Sequence, residues 1–114
     1  QHIAFQTDDI FKTVAELRRN GVQLLSIPEN YYDDIESKTE LSVDEIEDLK
    51  TLGILYERDG AGEFFQGYTQ ASEDRFFFEI GERRNGYQGV GESNAQIRLA
   101  SQSRAARNAA VPRV

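Results

Sequence analysis

Cysteine is absent from the 114-residue chain, and histidine occurs once, at His2. Without cysteine the chain has no disulfide framework, and it has no thiolate that could act as a nucleophile or bind a metal. The lack of cysteine leaves the redox compartment unconstrained. Any metal site must therefore be built from His2 and from oxygen ligands, or must take ligands from elsewhere.

Long apolar runs are also missing, and no signal peptide precedes the first strand pattern. We therefore expect a soluble, cytoplasmic protein with no membrane partner. The net charge of -7 disfavours nucleic acid as a partner, because a polyanion is repelled by an acidic surface. The charge is uneven, since four arginines but no acidic residue follow Glu92.

The composition fits one domain with a modest core, because 39% of the residues are hydrophobic and 11% are aromatic. The chain begins inside a strand pattern, at Gln1 and His2, without an initiator methionine. This start indicates a fragment of a longer protein. We expect a module over residues 1–94, followed by an arginine- and alanine-rich tail over residues 95–114.

Alternation and helical spacing predict the elements of this module. The predicted elements are a strand at 1–6, a helix from Ile10 to Asn20-Gly21, a strand at 22–27, two inserted helices within 29–51, a hairpin of strands at 54–58 and 63–69, and a strand at 75–80. The predicted fold class is therefore α+β, with a β-α-β-β-β module and a helical insertion between its second and third strands. One such unit cannot cover its own sheet, so we expect a second unit to pack against it.

One acidic residue, Glu79, interrupts the apolar run of the last strand. Because a strand alternates faces with period two, Phe77 and Glu79 share one side of it. A buried carboxylate needs a cation, hydrogen-bond donors or a metal beside it. If the first and last strands are neighbours, His2 and Glu79 point into one concavity, and an imidazole with a carboxylate suits a first-row transition metal.

Residue spacing alone leaves a simpler interpretation open. His2 can be a half-buried residue at the end of a fragment, and Glu79 can pair with Arg75 or Arg83 instead of a metal. The other acids near this strand, Glu82 and Glu92, are expected to be solvated.

Several short motifs, taken together and in order over residues 1 to about 95, resemble the C-terminal module of the 4-hydroxyphenylpyruvate dioxygenase family. The motifs are Gln1-His2-Ile3-Ala4-Phe5 with Thr7-Asp8-Asp9-Ile10, Gly53-Ile54-Leu55 with Asp59, Phe65-Gln66-Gly67-Tyr68-Thr69, and Phe77-Phe78-Glu79 with Arg83 and Gly89-Val90-Gly91.

The resemblance implies a vicinal-oxygen-chelate fold in which His2 and Glu79 bind Fe(II), or another divalent metal such as Mg, Mn or Co. The third protein ligand is then expected from outside this chain segment, from an upstream module of the same chain or from a homodimer partner. No catalytic residues beyond the metal ligands are implied. The residues expected to line the substrate pocket are Gln1, Gln66, Tyr68, Phe77, Val90 and Asn94.

The function implied is that of a non-haem iron dioxygenase, which performs oxidative decarboxylation and ring hydroxylation of an aromatic 2-oxo acid. The family has aromatic residues where this chain has Val90 and Ala95, and the tail does not suggest the family's C-terminal gating helix. Residues 27–34 and 53–56 are more similar to a branch fused behind a sugar-isomerase-like barrel in bacterial 3-dehydroshikimate dehydratases. The alternative is therefore an accessory metal-binding domain of such a lyase, without dioxygenase activity.

Overall fold

Four strands form a single sheet in the computed structural model, which describes residues 2–71, 76–89 and 91–110. The strands are β1 (His2–Gln6), β2 (Leu55–Asp59), β3 (Gly62–Tyr68) and β4 (Phe77–Arg84). Their order across the sheet is β1-β4-β3-β2, with β1 parallel to β4 and the other neighbours antiparallel. The first and last strands are therefore neighbours, as the metal hypothesis requires.

The helices of the described chain are α1 (Ile10–Arg19), α2 (Glu29–Lys38), α3 (Val43–Leu52) and α4 (Glu92–Ala110). The predicted ends of α1 are confirmed: the Asp9 side chain accepts a hydrogen bond from the Lys12 amide, and Asn20 caps the C-terminus. The predicted capping box of Ser42 and Glu45 opens α3. These local signals, which depend on side chains next to the helix ends, were readable from sequence.

The hydrophobic core lies between the sheet and the helices of the first half of the chain. The Phe11 ring of α1 packs edge-on against Phe65 of β3, with 5.7 Å between ring centres. Ile10 and Val14 of the same helix are fully buried. This packing covers one face of the sheet, while the strand order leaves β1 at an edge.

The prediction of a strand over residues 22–27 is wrong. This segment forms only one bridge, between Leu24 and Thr69, with the Leu25 amide donating to the Tyr68 carbonyl at 2.8 Å. The partner edge of β3 is already occupied by β2 as far as Gln66, so only its last residues remain free for pairing. Helices α2 and α3 therefore precede the second strand of the sheet instead of following it.

The expectation that Glu82 is solvated is wrong, because this residue is only 6% exposed. Its carboxylate accepts a hydrogen bond of 2.9 Å from the Ile10 amide and another from the Arg84 guanidinium. A carboxylate at a helix N-terminus satisfies an amide that has no partner within the helix and interacts favourably with the helix dipole. Glu82 thus fixes α1 to β4 across 72 residues of sequence. The Glu92 side chain lies outside the described structure.

The C-terminal segment forms a helix that begins before the predicted end of the module. Helix α4 starts at Glu92, so it crosses the expected boundary between residues 94 and 95. Asn94 is buried and Ile97 packs against the core, which joins the start of the predicted tail to the module. None of the helices in the described ranges is long and apolar enough to span a membrane.

Replacing Glu82 by alanine should lower the free energy of unfolding by about 2 kcal/mol, because the buried Ile10 amide loses its acceptor. Urea unfolding of the chain, followed by circular dichroism, measures this change. The control is Glu36→Ala on the exposed face of α2, which should change stability by no more than about 0.5 kcal/mol. Equal effects of the two substitutions would contradict the role given to Glu82.

Three buried tyrosines predict loss of stability in alkali. Burial raises the pKa of Tyr56 to about 12, helped by a hydrogen bond to Glu63, and burial also raises the pKa of Tyr31 and Tyr32. An unfolded tyrosine has a pKa of about 10, so the unfolded chain releases these protons first. The contribution of the protonated tyrosines to the free energy of unfolding is therefore complete below pH 10 and should fall as the pH rises through 12.

Urea unfolding between pH 9 and 12 tests this dependence. The free energy of unfolding should decrease steadily above pH 10, and Tyr56→Phe should make the decrease shallower because one titrating phenol is removed. An unchanged free energy across this range would contradict the prediction.

Candidate metal centre

His2 and Glu79 lie side by side on one face of the sheet. In the parallel ladder of β1 and β4, His2 pairs with Phe77 and Ala4 pairs with Glu79. The distance from His2 Nε2 to Glu79 Oε1 is 3.5 Å. Their side chains are 44% and 16% exposed, so an imidazole and a carboxylate meet where a small ion or ligand can reach both.

Phe77 orients the His2 ring. The two rings stack with 5.0 Å between their centres and 9° between their planes, and Phe77 itself is buried. A ring held flat against a buried neighbour has few rotamers available. The imidazole is therefore restrained with its Nε2 atom near the Glu79 carboxylate.

The two side chains fit the geometry of shared metal binding. Two ligand atoms that are each about 2.1 Å from one ion lie roughly 3.0–3.5 Å apart. The observed 3.5 Å lies at the upper end of that range. An imidazole with a carboxylate belongs to the ligand set of non-haem Fe(II) centres. No group of three His, Cys, Asp or Glu side chains that could hold a metal ion occurs among the described residues.

Arg83, one of the two arginines considered as partners of Glu79, makes its described contacts elsewhere. Arg83 donates to the Gly89 carbonyl and lies over the Phe64 ring, with 4.2 Å from its guanidinium carbon to the ring centre. Arg75, the other arginine considered from sequence, lies outside the described residues. The only described ion-pair partner of Glu79 is His2.

A chain of buried hydrogen bonds begins next to Glu79. Tyr68 pairs with Glu79 in the ladder of β3 and β4, and its hydroxyl accepts a hydrogen bond of 2.8 Å from Gln66 Nε2. Gln66 Oε1 in turn accepts a hydrogen bond of 3.2 Å from Asn94 Nδ2, which comes from α4. Both amide side chains are almost completely buried. Gln66 is therefore fixed in one orientation, in which it holds the Tyr68 hydroxyl.

The inserted helix α2 completes this network through Tyr31. Its hydroxyl accepts a hydrogen bond from the Tyr56 amide at 2.9 Å and lies 2.9 Å from Asn94 Oδ1. Sequence reasoning did not assign Tyr31 to the site. The available signal was the Tyr31-Tyr32 pair in an otherwise acidic segment, which predicts a buried helix face but not its partner.

The Tyr68 hydroxyl stays protonated near the carboxylate. Burial raises the pKa of Tyr68 above its usual value, and the negative charge of Glu79 raises it further. Since its oxygen already accepts from Gln66, the Tyr68 hydroxyl proton remains available for donation. A ligand oxygen bound on this face can therefore receive a hydrogen bond from Tyr68.

Glycine is required where the loop after β4 meets Gln66. A Cβ atom at Gly91 would lie 2.6 Å from Gln66 Oε1, and Gly91 has a φ angle of 74°. Any side chain here would displace Gln66 and strain the backbone. The loop can therefore lie directly on the buried amide.

Four of the six predicted pocket residues come together around this network. Phe77, Tyr68, Gln66 and Asn94 form a continuous set of contacts from His2 to α4. Gln1 and Val90, the other two, lie outside the described residues. The sequence of the tail did not suggest a C-terminal helix like the family's gating helix. The structure nevertheless has a helix there, α4, whose Arg98 lies over Phe77 and Tyr68.

A separate open cavity of about 610 Å³ lies between α2, β2 and α4. Its lining includes Tyr31, Tyr56 and Asn94 but neither His2 nor Glu79. The cavity thus reaches the far end of the hydrogen-bond network. Its other lining residues carry charges of both signs, at Lys38 and Glu40 among others, so it does not favour one class of ligand.

No family model matches the chain, but several proteins of known sequence are similar to it. The chain is 46% identical over 110 residues to 3-dehydroshikimate dehydratase of Pseudomonas putida, a match that covers 96% of the chain and 17% of the relative. It is 41% identical over 98 residues to 4-hydroxyphenylpyruvate dioxygenase of Pseudomonas aeruginosa, covering 82% of the chain and 27% of the relative.

Two solved structures are also similar to the chain in fold and sequence. A xylose isomerase-like TIM barrel/4-hydroxyphenylpyruvate dioxygenase fusion protein matches with a TM-score of 0.87 and 45% identity, over 92% of this chain and 17% of that one. A mutant of 4-hydroxymandelate synthase from Streptomyces coelicolor matches with a TM-score of 0.77 and 38% identity, over 94% of this chain and 30% of that one.

The chain therefore spans less than a third of each of these four proteins. Within that span its fold and sequence agree with the predicted α+β class and with the predicted resemblance. The chain has the vicinal-oxygen-chelate fold and is homologous to the C-terminal module of 4-hydroxyphenylpyruvate dioxygenases and to the corresponding part of 3-dehydroshikimate dehydratases.

Proposed function

We propose that this chain supplies two protein ligands, His2 and Glu79, to a mononuclear divalent metal centre. The observation that carries the proposal is the 3.5 Å distance between His2 Nε2 and Glu79 Oε1 on one face of the sheet. Fe(II) is the metal that this ligand set and the dioxygenase relatives favour, with Mg, Mn or Co as the other candidates.

The third protein ligand comes from outside this chain segment. Strand β1 is a sheet edge, and its Ile3 and Phe5 side chains are 46% and 52% exposed. An exposed apolar edge strand is normally covered by another structural unit. The fusion-protein neighbour supports an upstream module of the same chain as that unit, and a second copy of this chain is the other candidate.

The proposed reaction is that of a dioxygenase on an aromatic 2-oxo acid: oxidative decarboxylation of the side chain with hydroxylation of the ring. Bound iron would supply the activation of dioxygen and the chelation of the oxo acid. His2 is held for metal binding by stacking on Phe77, and Glu79 supplies the anionic ligand. Tyr68, oriented by Gln66, can donate a hydrogen bond to a substrate oxygen.

An accessory role in a 3-dehydroshikimate dehydratase is the second candidate. It is favoured by the 46% identity to the Pseudomonas putida enzyme. The family resemblance also implies an aromatic residue in dioxygenases at the position of Ala95. In this candidate the module binds a metal through His2 and Glu79 but performs no dioxygen chemistry.

Loss of either ligand should abolish tight metal binding. We call the longer protein that is expected to contain this chain the full-length parent. In it, His2→Ala and Glu79→Ala should each lower Co(II) affinity by on the order of 100-fold or more, because each removes a direct ligand. Co(II) titration followed by visible absorption measures this. The matched control is Glu47→Ala, an exposed acid on α3, which should leave affinity unchanged. Unchanged affinity in Glu79→Ala would contradict the proposed centre.

The two candidate functions give different results in one pair of assays. If the module is a dioxygenase, the Fe(II)-loaded parent should consume dioxygen with 4-hydroxyphenylpyruvate, and Glu79→Ala should abolish the uptake. An oxygen electrode measures the uptake, and dehydration of 3-dehydroshikimate is followed in parallel.

Metal binding without dioxygen uptake, combined with dehydration that is insensitive to Glu79→Ala, would reject the dioxygenase and support the accessory role. Dioxygen uptake that persists in Glu79→Ala would reject the proposed ligand set.

A further inference from the structure

Helix α4 carries a positive charge to the same face of the sheet as the candidate metal centre. The guanidinium carbon of Arg98 lies 5.3 Å from the centre of the Phe77 ring and 5.8 Å from that of Tyr68. Since Phe77 stacks on His2 at 5.0 Å, the guanidinium is no more than about 10 Å from the imidazole ring. Arg98 therefore lies within the reach of an aryl-sized ligand bound at the centre.

Arg98 has no carboxylate partner among the described residues. None of the ion pairs in this part of the chain includes it, although the whole chain carries 20 acidic residues against 13 basic ones. Its described hydrogen bond goes to a neutral group, Gln102 Oε1, at 3.1 Å. A further side-chain hydrogen bond joins Arg98 to Tyr68, which is also neutral. A half-buried guanidinium with five donor hydrogens therefore keeps donors for a charged acceptor.

Gln102, which holds Arg98, also has an unused donor. Its Nε2 atom is buried and has no hydrogen-bond partner among the described residues. A buried amide nitrogen without an acceptor is unfavourable, and such atoms in native structures commonly mark a missing water, ion or ligand. Two side chains one helical turn apart therefore present donors without acceptors.

We propose that Arg98 recognises a carboxylate, or an equivalent oxyanion, at the end of the ligand remote from the metal centre. The substrate class is then an aromatic 2-oxo acid that carries a second anionic group on its ring. The Phe77 and Tyr68 rings restrain the guanidinium by cation–π contact, and a guanidinium can bind a carboxylate through two parallel hydrogen bonds. This inference rests on the proposed metal centre and adds the specificity-determining residue.

The test compares two ligands that differ only in the remote group, phenylpyruvate and 4-carboxyphenylpyruvate. Dissociation constants are measured by calorimetry on the full-length parent loaded with Mn(II), without dioxygen. Wild type should bind the carboxylated ligand about tenfold more tightly, the range expected for one charge-assisted hydrogen-bonded contact. Arg98→Gln should abolish that preference and leave phenylpyruvate affinity unchanged, while Arg98→Lys should restore part of it.

Arg104→Gln is the matched control, because Arg104 lies on the same helix with an exposed side chain that contacts Ser101. It should preserve the preference. Equal affinity of wild type for both ligands, or an equal loss for both in Arg98→Gln, would overturn the role of Arg98 while leaving the metal centre standing. Absence of metal-dependent binding of either ligand would overturn the proposed function, and this inference with it.

Discussion

Parallel pairing of β1 with β4 is the constraint on which the site depends. The register sets Ala4 beside Glu79, and this small side chain leaves room for the His2 imidazole to approach the carboxylate. A slip of one residue would turn His2 to the opposite face, because side chains alternate along a strand. The same ladder brings Phe77 beside His2, so one register fixes both the position and the orientation of the imidazole.

The rest of the fold serves to hold that face in shape. Glu82, three residues after Glu79 on the same strand, ties the start of α1 to the opposite side of the sheet. On the site's own side, the buried amides of Gln66 and Asn94 join β3 to α4, and Tyr31 adds α2. Fully satisfied buried networks of this kind specify one arrangement, because every broken link leaves a polar group without a partner. The helical insertion and the C-terminal helix are thereby coupled to the position of Tyr68 beside Glu79.

Local and alternating patterns made much of the module predictable from sequence. The helix caps at Asp9 and Ser42, the hairpin around Gly60, and the shared face of Phe77 and Glu79 all depend on residues close together in the chain. The pairing of His2 with Glu79 required more, because nothing local brings together residues 77 positions apart. There the resemblance to a family of known fold supplied the neighbour relationship.

The wrong predictions concern features that depend on contacts between elements distant in the sequence. Residues 22–27 have a good strand pattern, yet the edge of β3 is already taken by β2. Glu82 is an acidic residue, which is normally solvated, and its neighbours in the sequence do not reveal its hydrogen bond with the Ile10 amide of α1. The contact of Arg98 with Phe77 could not be predicted, because the alanine- and arginine-rich tail has little periodicity and the contact joins residues distant in the chain.

The most direct test of the account is the position of a bound metal in crystals of the full-length parent grown with Mn(II). Anomalous scattering should give a peak about 2.1–2.2 Å from both His2 Nε2 and Glu79 Oε1, with a third protein ligand from outside this chain segment. A peak that avoids these two atoms, or no peak while Glu79 pairs with a cationic side chain, would contradict the central claim that His2 and Glu79 share one metal ion.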